Sequence, residues 1–157
     1  MNRRSLLRGI VIATLAAFLP AASRAEDRGT PDDAKAMVAK AIELYKAKGK
    51  GSFKIMNRGE STGFRKGDIY IFVFSTGPDA KILVQGADQK RVGVDVAGLK
   101  DSDGKFFGKE MLSRVTADGV WVDYKRTNPA TNKEEMKSSW VVLYDGYVFG
   151  CGVYKTN

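Results

Sequence analysis

Residues 119–155 read GVWVDYKRTNPATNKEEMKSSWVVLYDGYVFGCGVYK. Three segments rich in apolar and aromatic residues are separated by two runs of turn formers, Asn128-Pro129-Ala130-Thr131-Asn132 and Asp145-Gly146. Asp-Gly between alternating apolar residues is a strong hairpin signal, and Asn and Pro reverse a chain for their own conformational reasons. The stretch predicts antiparallel strands over 120–125, 135–144 and 147–154. Because side chains alternate across a strand, Val120, Val122, Tyr124 and Arg126 share one face, with Trp121, Asp123 and Lys125 on the other. A hairpin through 128–132 brings Lys137 near Tyr124 and Arg126.

Working back from there, residues 69–74 (IYIFVF), the turn Gly77-Pro78-Asp79 and residues 81–84 (KILV) read as another hairpin. Its first strand is apolar on both sides, as expected where both faces of a sheet are covered. Thr30 can cap, and Pro31 can start, a helix whose apolar residues Ala34, Met37, Val38, Ala41, Ile42, Leu44 and Tyr45 recur at helical spacing until Gly49. A short second helix over 52–57 would turn Phe53, Ile55 and Met56 inward. Residues 86–104, with repeated Gly and Asp, read as loop with at most a helical turn at 96–99. Residues 105–116 suit an amphipathic helix with Phe106, Phe107, Met111, Leu112 and Val115 on one side. Five antiparallel strands and two main helices make an α+β domain.

The N-terminal 25 residues read as a secretory leader: Arg3, Arg4 and Arg8 precede an apolar run, 10–19, that ends in small residues at Ala21-Ala22-Ser23-Arg24-Ala25. Arg3-Arg4-Ser5-Leu6-Leu7-Arg8 also resembles a twin-arginine export signal, so either export route is open. The apolar run is about half of the roughly 20 residues a bilayer-spanning helix needs. Residues 26–157 then form a single domain, exported to the periplasm or beyond, and tethered only if the leader is retained. The full chain has 26 basic and 18 acidic residues, and the leader removes four arginines and no acid, leaving a net +4. The remaining lysines are interleaved with acids such as Glu43, Glu60, Asp68, Asp79, Asp88 and Asp95, so no basic stripe follows a phosphate backbone and no nucleic-acid partner is expected. Cys151 is the only cysteine; no intramolecular disulfide can form, and a small buried hydrophobe is the reading for it.

The chain has no histidine. That removes the commonest general base, the usual partner of a nucleophilic Ser or Cys, and the commonest nitrogen ligand for metals. Carboxylate chemistry, a lysine nucleophile or no catalysis remain, and an enzyme is not expected. Asp101-Ser102-Asp103-Gly104-Lys105 opens like a calcium loop, but Lys105 stands at the next ligand position and no Glu closes it. It reads as an Asx turn capping the following helix; no metal and no cofactor is implied. A phenol and a cation framed by aromatics, Tyr124 with Lys137 and Arg126, suit a small carboxylate: the cation supplies charge and the hydroxyl a directed hydrogen bond. The competing reading makes Lys137 a solvated edge lysine and Tyr124 a core ring.

With those residues in hand, the sequence resembles single Cache domains of the second type, extracytoplasmic ligand-sensing modules related in shape to PAS domains. The resemblance spans about residues 32–155. It rests on the order of Ala41-Ile42-Glu43-Leu44-Tyr45, Gly67-Asp68-Ile69-Tyr70-Ile71-Phe72-Val73-Phe74, Lys100 through Phe107, Trp121-Val122-Asp123-Tyr124-Lys125, Asn128-Pro129, Lys137-Ser138-Ser139 and Gly150 through Lys155. It implies a PAS-like fold: a long N-terminal helix packed on a five-stranded antiparallel sheet, with a second helix in the pocket-side connection. It also implies a pocket for a short organic acid, with Tyr70, Phe72, Tyr124 and Lys137 at the matching positions. Two positions depart from the pattern. Gln85 stands where relatives often carry His, and Arg126 where they often carry an aromatic, commonly Trp. Gln85 can still donate and accept a hydrogen bond, and Arg126 replaces a stacking wall with a second cation. The ligand is then more anionic than the family's norm, or the pocket is degenerate.

Relatives are mostly sensor portions of chemoreceptors or kinases flanked by membrane helices, whereas this sequence is expected to have no spanning helix after its leader. The implied role is a binding module for a small organic acid that acts through a separate membrane receptor or sensor protein. The alternative is a ligand-free periplasmic interaction protein that uses a strand edge or the basic helix face.

Overall fold

The computed structural model describes residues 28–155; the leader expected at 1–25 lies outside them. Helix α1 (Pro31–Lys48) opens with a reciprocal capping box: the Asp33 amide donates to the Thr30 hydroxyl, and the Thr30 amide donates to the Asp33 carboxylate. Two otherwise orphaned amides are thereby satisfied. Helix α2 (Gly51–Met56) follows. Then come β1 (Arg65–Lys66), β2 (Ile69–Ser75), β3 (Ile82–Gln85), α3 (Phe107–Arg114), β4 (Val120–Thr127), β5 (Glu134–Tyr144) and β6 (Tyr147–Tyr154). The sheet is antiparallel, in the order β1-β2-β6-β5-β4, with β3 also paired to β2. The five expected strands are present, and the two-residue β1 is the addition.

Alternation sorts the apolar residues into two clusters, one on each face of the sheet. Ile69, Ile71 and Val73 of β2 and Phe149, Cys151 and Val153 of β6 pack against Ala34, Met37, Val38, Ala41 and Tyr45 of α1. On the other face Tyr70, Phe72 and Phe74 meet Val122, Tyr124, Val141 and Val148, roofed by Val96, Leu99, Phe107 and Met111. Strand β2 is apolar on both sides because both of its faces are covered. Cys151 is a buried packing residue beside Met37, and burial pushes its thiol up to about 12.

Three sequence expectations shift. The one-turn helix in the 86–104 loop lies at Gln89–Arg91, capped by Asp88, and not at 96–99. Helix α3 begins at Phe107 and not at 105, so Phe106 is 44% exposed instead of packed, with the Lys100 and Lys109 ammonium groups over its ring. The Asp101 carboxylate does form an Asx turn, accepting from the amides of Asp103 and Lys105, yet it does not cap α3. It accepts instead from the Lys125 amide of edge strand β4, while the Lys105 ammonium donates to the Asp123 carbonyl. The loop thus occupies groups that an edge strand would otherwise offer to another chain.

A polar latch ties the start of the domain to the sheet. The buried Asp68 accepts from the Gly29 amide at 2.9 Å and from the buried Asn128 amide group at 3.4 Å. Glu135 accepts from Arg28 at 2.9 Å, Asn128 at 3.1 Å and Thr131 at 2.8 Å.

Candidate ligand-binding pocket

On the face away from α1, two glycines of β6 make room for two side chains. A Cβ at Gly150 would run into the ring of Phe72, and one at Gly152 into the Ser139 hydroxyl and the Lys137 stem. Neither glycine has positive φ, so the requirement is space and not backbone conformation. Lys137 therefore lies flat across Gly152, and its register places it between Tyr124 on β4 and Tyr154 on β6.

Lys137 is fully buried and is not the solvated edge lysine of the competing reading. Its Nζ sits 3.7 Å from the ring centre of Tyr70 and 5.0 Å from that of Tyr154. Among the described residues it has no hydrogen-bond partner. Two of the hydroxyls around it are engaged elsewhere, Tyr154 donating to the Thr127 carbonyl at 2.8 Å and Tyr124 sharing a 3.0 Å hydrogen bond with Ser139, while the Tyr70 phenol interacts with Lys137 itself. Phe107 stacks on Tyr124 at 4.1 Å and shuts out water from above. Burial works against the ammonium, while the phenols of Tyr124, Tyr70 and Tyr154 favour it as they ionise, so Lys137 titrates above the ordinary lysine value. Burial is the largest influence on Tyr70 and raises it, but the Lys137 charge together with hydrogen bonding to Lys137 and Tyr154 holds that phenol below the usual tyrosine value. For Tyr124 burial dominates and the pKa rises.

Lys137 is thus an amine whose burial disfavours its charge and whose phenol neighbours favour it. Ring faces return about 2 kcal/mol to a desolvated cation, against a cost of several kcal/mol for taking an ammonium out of water. Lys137 Nζ and Arg91 Nε are the buried side-chain donors without an acceptor among the described residues, and an anion's oxygen would complete either.

Beside this cluster lies a recess of about 20 Å³, walled by Tyr70, Phe72, Gln85, Tyr124, Phe107, Arg91 and Arg126 among others. That is room for about one water. It adjoins a wider bowl of about 310 Å³ lined by Tyr70, Gln85, Asp88, Arg91, Arg126, Thr127 and Pro129. Tyr70, Phe72, Gln85, Tyr124 and Arg126 thus share one pocket, with Lys137 against its Tyr70 and Tyr124 wall. Gln85 pairs with Phe72 across β2 and β3, and its side-chain oxygen accepts a long 3.4 Å bond from the Ala87 amide. A larger groove of about 580 Å³ lies on the opposite side, between α1 and β1, but Asp33, Lys40, Glu60 and Lys66 mix signs along it.

Sequence reasoning did not single out Arg91. It ends the Asp88-capped turn and lines both recess and bowl; its Nε is buried without a partner, and burial followed by the Arg126 charge lowers its pKa. Asp88 as a cap was the one local signal for it. Tyr154 and Ser139 were also absent from the expected set, though the strand pattern contains both.

The family model described as Single Cache domain 2 matches residues 10–156. The fold is similar to a solved methyl-accepting chemotaxis protein from Vibrio parahaemolyticus, with TM-score 0.63, 15% identity, and coverage of 78% of this chain and 86% of that one. It is also similar to a periplasmic sensor domain of a chemotaxis protein, with TM-score 0.62, 20% identity, and coverage of 78% and 92%. A third structure, from a study of carboxylic acid recognition by a Cache chemosensory domain, gives TM-score 0.56, 21% identity, and coverage of 80% and 88%. No curated protein matches the sequence.

Proposed function

Because this chain belongs to the Single Cache domain 2 family, we propose that it is an extracytoplasmic module that binds a short organic carboxylate and acts through a separate partner, a membrane receptor or sensor protein. In this reading residues 1–25 are an export leader, 26–157 are the single binding domain, and the protein resides in the periplasm or is secreted. No catalytic step is assigned. The observation that carries the reading is the buried Lys137 ammonium with no acceptor of its own. Arg126 and Gln85 at the recess add a second cation and a group that can donate to or accept from a carboxyl. Tyr124 would orient the ligand, while Tyr70 and Phe72 would shape its apolar side. No helix among the described residues is long and apolar enough to cross a membrane, which suits an exported domain. Among the similar structures, the periplasmic sensor domain supports the location and the domain studied for carboxylic acid recognition supports the class of ligand.

The ligand-free alternative draws on the recess, which in this state admits about one water. Against it, the bowl outside is open and polar, and the Asp101–Lys105 loop covers the middle of the β4 edge that such a protein would use. Differential scanning fluorimetry across a panel of two- to five-carbon acids tests the proposal. A ligand at 100 times its dissociation constant stabilises by about 2.7 kcal/mol. That response should disappear in Lys137→Met. Absence of any response, or a response that survives Lys137→Met, overturns the proposal.

A further inference from the structure

Resting on that reading, we infer that the ligand is a dianion, a linear dicarboxylate, with Arg91 and Arg126 holding its second carboxylate at the pocket mouth. Three cations lie at or behind this pocket, Arg91 and Arg126 lining the recess and bowl and Lys137 buried behind the Tyr70 wall, against one lining carboxylate, Asp88. The excess is two positive charges, which a monocarboxylate leaves half compensated.

Neither arginine is spent elsewhere. Among the described residues the Arg91 and Arg126 guanidinium groups form no ion pair, and the Arg91 Nε is buried without an acceptor. The carboxylate best placed to neutralise Arg126 is its cross-strand partner Glu135. Glu135 is already taken by Arg28, Asn128 and Thr131. Asp88 is partly committed as well, accepting from the Lys90 amide to cap its turn. Two like charges line one bowl, burial and then the Arg126 charge lower the Arg91 pKa, and such a pair persists more comfortably around a shared anion. Guanidinium groups take carboxylates in a bidentate fork, so this pair prefers a carboxylate to a hydroxyl or an amide.

The two volumes give the geometry. The bowl of about 310 Å³ receives most of the molecule, and the recess of about 20 Å³, lined by Tyr124 and Tyr70, must widen beyond its one-water size to take one end toward Lys137. An acid with a charge at each end and methylenes between meets cations at both depths and apolar rings along its stem.

Isothermal titration at pH 7.5 with succinate and with butanoate, equal in chain length and different by one charge, tests this. We expect succinate to bind at least tenfold more tightly. Arg91→Gln and Arg126→Gln should each weaken succinate more than butanoate and reduce that preference to less than threefold. Both positions are partly exposed, and circular dichroism checks that the variants fold. If butanoate binds as tightly as succinate, and both are lost in Lys137→Met, the dianion inference is overturned and the carboxylate module stands. If no dicarboxylate from oxalate to glutarate binds, the inference is overturned. If the monocarboxylates fail as well, the proposed function falls with it.

Discussion

The Lys137 ammonium nitrogen lies 3.7 Å above the ring centre of Tyr70, fully buried, and donates no hydrogen bond. A purely structural core seldom keeps such a pair, since a methionine of similar length would fill the same volume over the same ring with nothing left unsatisfied. In the proposed function the pair is half of an interaction whose other half arrives from solution.

Lys137→Met should therefore hold or raise the stability of the ligand-free protein while abolishing ligand response. Replacing buried charges with apolar groups of similar volume is often neutral or stabilising by about 1–4 kcal/mol. Urea unfolding monitored by tryptophan fluorescence measures it. A loss beyond about 1 kcal/mol, the ordinary cost of a point mutation, would make the lysine structural.

Gly152→Ala should weaken binding at least tenfold, because the new methyl occupies the space of the Lys137 stem and the Ser139 hydroxyl. Overpacking typically costs about 1–3 kcal/mol of stability. In the double variant with Lys137→Met the two effects on stability should fail to add, as for residues in contact. Additive changes in urea unfolding would place the glycine's effect elsewhere.

Alkaline pH should loosen α1 from the β5–β6 turn. The Tyr45 hydroxyl donates to the Asp145 carboxylate at 2.6 Å, and this bond to the neutral phenol is the first cause that pushes its pKa up to about 12. The folded value lies above the unfolded value near 10. The contribution is fully present below about pH 10 and is lost as pH rises toward 12. Stability of wild type should thus fall more steeply across that window than that of Tyr45→Phe; parallel profiles by urea titration would refute the assignment.

Asp101→Ala should expose the middle of β4. The carboxylate satisfies the amides of Asp103, Lys105 and Lys125 at once. Its loss should lower stability by about 1–3 kcal/mol, as for unsatisfied backbone donors, and promote concentration-dependent association. Analytical ultracentrifugation would show a wild-type-like monomer–oligomer balance if the loop were not guarding the edge.

Much of this site could be counted from the two hairpins. A two-residue Asp145-Gly146 turn pairs Tyr144 with Tyr147, and stepping along the ladder sets Lys137 opposite Tyr154. The 128–132 turn sets Tyr124 opposite Lys137 in the same way, and the sequence analysis anticipated that pair. Arg91 was not legible, because residues 86–104 follow neither strand nor helix period and their course depends on packing over the sheet. Phe106 misled for a related reason: Phe107 takes the core position by stacking on Tyr124, and one more residue of helix would have rotated it away. The depth of Lys137 was also hidden, since it follows from two glycines on a neighbouring strand that carry no chemical signal of their own.

The latch at the entrance of the domain gives ligand binding a mechanical outlet. Arg126 of the pocket and Glu135 are cross-strand partners, and Glu135 grips Arg28 two residues ahead of the first capped turn of α1. An anion drawing the Arg126 guanidinium inward would leave Glu135 to hold Arg28 alone, so that occupancy of the proposed pocket would be felt at the stem of the chain.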